Sequence, residues 1–200
     1  EHIIGKELLP SEALTASGVD ETAIEIMPDK PIEGPRTVRR FTPPMLLIRE
    51  QMDLPHAVWD RRYLTYKNQI VGFAAGAKSI QELRAADSWL TQSRHILQAF
   101  VAVNSVKLFT QKATTLSGFD VFALPYPENL NLNISPNEQI IAEDIVDHYR
   151  DLIRLGEDSA AMQETGHQAL SAFTETFCDQ INGLYSNLTP LPAQSWPGII

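Results

Sequence analysis

Cysteine is almost missing from this sequence. Cys178 is the only one in 200 residues, so no disulfide can close within the chain, and the scarcity fits a reducing compartment. Cys178 stands among apolar neighbours in AFTETFCDQINGLY with nothing nearby to lower its pKa, so it reads as a packing residue rather than a nucleophile. No run of about 18 apolar residues occurs, which excludes a membrane-spanning helix. The opening residues EHIIGKELLPSEA have neither the basic start nor the apolar core of a signal peptide, and a cytoplasmic location is expected.

Catalytic signatures are also missing. GxGxxG, the phosphate-binding GxxxxGK loop and the nucleophile elbow GxSxG do not occur. Pro28-Asp29 could open a nuclease-like pattern, but no acidic residue stands two places before a lysine downstream. The five histidines are scattered. His148 shares a helical face with Asp144, Asp147 and Asp151, a spacing that could hold a metal but that any solvated acidic helix face also produces. A hydrolase would need a polar cleft assembled from Asp60, His56 or His95. Phe41-Thr42-Pro43-Pro44-Met45 is a near miss to the (Asn/Asp/Ser)-Pro-Pro-aromatic motif of amino-group methyltransferases. There a polar side chain accepts from the target amino group while the aromatic ring stacks on the flipped base. Thr42 and Met45 supply neither function.

What the sequence does hold is an uneven distribution of charge. The formal net charge is −9, yet residues 1–35 carry −6, residues 36–112 carry +7 and residues 113–200 carry −10. A partner feels the local field within a Debye length of about 10 Å, so the middle segment is where a polyanion would bind. It opens on RTVRRF, with Arg36, Arg39 and Arg40 in five positions.

The hydrophobic pattern predicts an α+β protein: a mixed sheet region in the middle of the chain, then an acidic helical region. Three segments follow: 1–35, a poorly anchored lead-in with a first strand at Ala23–Met27; 36–130, the basic region; and 131–200, acidic helices ending in a proline-rich tail. Met45–Ile48, opened by two prolines and closed by charge, reads as a buried strand. Residues 57–66 suggest another, and Asn68–Ala75 a third after a turn at Lys67-Asn68. From Ser88 to about Gln111 the spacing of Leu90, Leu97, Phe100, Val101, Leu108 and Phe109 predicts a helix, broken near Asn104-Ser105. Phe119–Pro125 reads as a strand. Helices are expected over Asn137–Leu155, capped by Ser135 or Asn137 and ended by Gly156, and over Ala169–Tyr185.

Pro43–Arg49, Tyr66–Gly72, Leu97–Ser105 and Phe122–Pro127 together resemble the DNA target-recognition region of large bacterial N6-adenine methyltransferases of restriction-modification systems, of type I or type IIG-like organisation. In that family a P-x-LLIR strand leads to a Y-x-N-x-I-x-G strand, an apolar helix closing in L-N-S, and a strand ending in I/L-P-x-P. The likeness covers about residues 36–127. It departs at Val103, where leucine is usual, and at Ala123-Leu124, where isoleucine is common.

The resemblance implies a chain that binds double-stranded DNA in bacterial defence and carries no catalytic residues of its own. S-adenosylmethionine and the flipped adenine would belong to a catalytic methyltransferase domain of the same or a partner chain. Arg36, Arg39, Arg40, Arg49, Arg61, Arg62, Lys67 and Lys78 can neutralise phosphates or read guanine. Asn68 and Gln69 can read adenine N6/N7. Trp59, Tyr63 and Tyr66 read as core residues before base-stacking platforms. The alternative is an interaction module whose basic region docks on an acidic partner protein or on the chain's own acidic helices.

Overall fold

Met45–Arg49 forms the central strand of a three-stranded antiparallel sheet, and the sequence explains its place there. All of Met45, Leu46, Leu47 and Ile48 are buried, so both faces of this strand are covered. Side chains alternate across it. Met45 and Leu47 enter a core with Ile3, Leu9, Leu14, Phe41, Trp59, Leu64, Tyr66 and Ile70. Leu46 and Ile48 face the other way.

The computed structural model describes residues 2–29, 37–75, 79–105, 107–109, 115–126 and 135–157, and the protein is α+β. In chain order the strands are β1 (Glu7–Leu9), β2 (Leu14–Thr15), β3 (Gly18–Val19), β4 (Glu25–Ile26), β5 (Met45–Arg49), β6 (His56–Trp59), β7 (Thr65–Tyr66) and β8 (Ile70–Ala74). The helices are α1 (Ile80–Gln92), α2 (Arg94–Asn104), α3 (Gly118–Phe122) and α4 (Pro136–Glu157). β5 lies between β6 and β8, with Met45 opposite Trp59 on one side and Ala74 on the other. A second sheet runs β4-β1-β7, antiparallel then parallel, and β2-β3 form a short ribbon. α1 packs on β5 and β6.

Several sequence-based expectations need correction. The lead-in is firmly anchored: β1 pairs on both sides, and Leu8, Leu9, Ala13 and Leu14 are buried. The first strand shrinks to Glu25–Ile26, preceded by a 3-10 turn at Glu21–Ala23. Residues 57–66 are two strands in different sheets. Phe119–Pro125 is no strand, because Ser117 and Asp120 cap it as a helix, each accepting from the other's backbone N–H. Helix begins at Ile80, well before Ser88, and breaks at Ser93 as well as ending at Asn104, where the Asn104 amide returns to the Phe100 carbonyl. α4 runs through Gly156 rather than stopping there. The expected helix over Ala169–Tyr185, the proline-rich tail and Cys178 lie outside the described residues.

The chain divides into two compact units, Glu1–Arg94 with Leu116–Leu130, and His95–Thr115 with Asn131–Ile200. These units do not follow the charge boundaries, since backbone pairing joins the acidic lead-in to the basic segment. In the second unit Ala142, Ile145, Val146 and Tyr149 make the buried stripe of α4, and the Tyr149 hydroxyl donates to the Leu108 carbonyl at 3.2 Å. Ser135 caps α4 through Glu138, whose amide it accepts while its own N–H donates to the carboxylate at 2.8 Å.

Candidate nucleic-acid interface

The described candidate cations of the middle segment, Arg39 to Lys67, fall into three groups, all within the first unit. Arg39 and Arg40 sit on the 3-10 turn Val38–Phe41. Phe41 pins this turn by entering the core, edge-on to Tyr63 and Tyr66 at 6.1 and 5.1 Å between ring centres. The Thr42 hydroxyl closes the turn on the Val38 carbonyl. Arg40 donates through Nε to the Tyr66 hydroxyl at 3.0 Å, with its guanidinium 5.2 Å from the Tyr66 ring centre. Both arginines are exposed, and neither has a carboxylate partner among the described residues.

Arg61 and Arg62 form the second group, in the connection from β6 to β7. Arg62 Nε donates to Glu7 at 2.5 Å and Nη1 to Glu21 at 3.3 Å, while Arg61 pairs with the other oxygen of Glu21. Both guanidiniums flank the buried Trp59 ring, at 5.7 and 5.2 Å from its centre. The indole N–H donates to the Arg62 carbonyl at 2.7 Å. The hydrogen bond that Arg62 donates to Glu7 leads the causes that push the Arg62 pKa above its ordinary value.

The third group surrounds the turn at Asn68-Gln69. Lys67 lies 3.8 Å from the Glu25 carboxylate. Gln69 adopts a left-handed backbone, φ +78°, and its side chain accepts from the Ser11 hydroxyl at 3.1 Å. Asn68 is exposed and makes no side-chain hydrogen bond among the described residues. Glu12 nearby is held below the usual carboxylate range, first by its own backbone N–H, then by Ser11, with Lys67 and Arg49 adding to the effect. Arg49 is half-buried at the end of β5, and its Nε has no hydrogen-bond partner among the described residues. Arg36 and Lys78 lie outside the described residues.

The structure therefore separates these residues by partner. The intramolecular carboxylates on Arg61, Arg62 and Lys67 are Glu7, Glu21 and Glu25 of the lead-in, rather than those of the acidic helices. The signal was present in the sequence as a −6 segment adjoining a +7 segment, but only strand pairing reveals which side chains meet.

Other candidate chemistry is engaged elsewhere. Met45 is fully buried and Thr42 is committed to its own turn, so the Pro-Pro segment does not fit a methyl-transfer motif. The buried His56 ring lies between the Leu54 carbonyl and the Thr91 hydroxyl, Asp60 pairs with Arg84, and His95 belongs to the second unit. His148 contacts the Asp144 carbonyl of its own helix, and no cluster of three metal-ligating side chains occurs among the described residues. Trp59 and Tyr66 are core residues. No helix among the described residues is long and apolar enough to cross a membrane. The chain matches no protein-family model, no curated protein and no solved structure.

Proposed function

We propose that this chain is a duplex-DNA recognition unit of a restriction-modification N6-adenine methyltransferase, working in the bacterial cytoplasm. The observation that carries this reading is the pair Arg39 and Arg40, exposed without a carboxylate partner among the described residues, on a turn fixed by Phe41 and Tyr66. Cations held on a rigid turn meet phosphates with little ordering cost. Asn68 stands on the exposed turn from β7 into β8, where an amide can reach a base edge. Methyl transfer and base flipping fall to a catalytic domain of the same or a partner chain, which binds S-adenosylmethionine.

The test is duplex binding as a function of salt. Changing Arg36, Arg39 and Arg40 to Ala weakens binding to all sequences and lowers the salt slope by about one unit per lost phosphate contact. An unchanged slope removes this assignment. One observation favours a second reading, an interaction module: Arg61, Arg62 and Lys67 already meet carboxylates of a protein, namely their own. Selection from a randomised duplex library separates the two. An enriched motif supports DNA recognition, and binding to acidic protein surfaces with no enriched motif supports the module.

A further inference from the structure

Glu21 spans two guanidiniums with its two carboxylate oxygens, one on Arg61 and one on Arg62. A phosphate bridges a pair of arginines in the same way. We propose that Arg61 and Arg62 form a phosphate-binding site and that Glu21 occupies it as a tethered stand-in, which a nucleic-acid phosphate displaces. This inference rests on the DNA reading above and concerns the regulation of the same basic surface.

The cations are organised without Glu21. The Trp59 indole lies behind both guanidiniums and is itself fixed, buried in the core and donating to the Arg62 carbonyl. Glu7, on a strand paired along both edges, holds Arg62 from the other side. Glu21 is the movable member. It belongs to a three-residue turn with no buried residue, held by the Asp20 cap. Swinging its side chain away breaks only its ion pairs to Arg61 and Arg62, whose side chains are exposed, and such pairs are weak and salt-screened.

A tethered carboxylate has a high effective concentration, so an isolated phosphate competes poorly with it. A duplex already held at Arg39 and Arg40 presents its next phosphates at similar effective concentration and adds counterion release. The latch thus discriminates against stray anions and yields to a docked polymer.

The experiment compares wild type, Glu21→Gln and Glu82→Gln for binding a labelled duplex across a salt series. Glu82 lies on α1 without an ion pair among the described residues, so its change removes the same charge without breaking a contact to Arg61 or Arg62. Glu21→Gln is expected to tighten binding about threefold or more and to steepen the salt slope by about one to two units. Glu82→Gln should do neither, and adding Arg61→Gln to Glu21→Gln should cancel the gain, with thermal melts confirming that each variant is folded. Equal affinity and slope for Glu21→Gln and Glu82→Gln overturn the latch while leaving the DNA reading intact. A parallel titration with inorganic tripolyphosphate separates the other case. If no variant binds duplex, but Glu21→Gln binds tripolyphosphate more tightly than wild type and needs Arg61 to do so, the phosphate site stands and the DNA reading falls. No difference with either probe overturns the site.

Discussion

Tyr66 shows how one side chain can join the core to an exposed arginine. Its ring lies so close on Gly72 that a Cβ there would fall 2.6 Å from the Tyr66 Cζ, and its hydroxyl receives Arg40. Glycine is required at 72 for this approach. Gly72→Ala is therefore expected to destabilise by about 1–3 kcal/mol through overpacking, read from urea unfolding, and, on the function proposed above, to weaken duplex binding by displacing the seat of Arg40. Gln69 offers a cleaner test of backbone strain. Gln69→Ala and Gln69→Gly both lose the Ser11 hydrogen bond, but only glycine relaxes at φ +78°. The glycine variant should be the more stable by about 1 kcal/mol, and equal midpoints would show that this turn is unstrained. A titrating residue adds a pH signature. Burial pushes the Tyr149 phenol well above its usual range near pH 10. The unfolded chain then releases this proton first, so stability is whole below pH 10 and declines as pH rises beyond it. Tyr149→Phe should flatten that alkaline decline in urea midpoints, partly rather than wholly, because the half-buried Tyr63 is shifted the same way.

Among the elements, α3 was the most misleading. Its alternation of Phe119, Val121 and Ala123 looks like a strand, yet the local signal that decides it is Ser117-x-x-Asp120. With Phe119 86% exposed, its apolar pattern does not mark a buried face. Ser117→Ala is expected to cost about 1 kcal/mol in the stability of this helix, seen as faster amide exchange at Val121, Phe122 and Ala123. Ser117→Asp should retain protection. β5 and α4 were legible because buried strands and amphipathic helices write their burial into residue spacing, and Ser135 announced its cap. α1 was not, since only Leu83, Trp89 and Leu90 of its thirteen residues are buried. The arginines were legible as a cluster, but their partners were not. Pairing between Glu7 or Glu21 and Arg62 depends on the β1–β7 register, which no local pattern encodes.

At the scale of the whole molecule, the acidic lead-in and the strands of the basic segment belong to one compact unit instead of two regions in tandem. The parallel pairing of β1 with β7 sets Leu8 against Thr65 and Leu9 against Tyr66, and the Thr65 hydroxyl donates to the Glu7 carbonyl at 2.6 Å. The order of synthesis gives this arrangement a consequence of its own. A ribosome releases β1 long before β7 exists, so the edge of β1 that β7 covers stays open until more than fifty further residues have emerged, although β4 can pair with the other edge earlier. Closure over such a separation is entropically slow, and transiently open strand edges invite wrong partners. Lys6, Glu7 and Glu25, on or beside β1 and β4, are charges of the kind that discourage wrong pairing at an open strand edge.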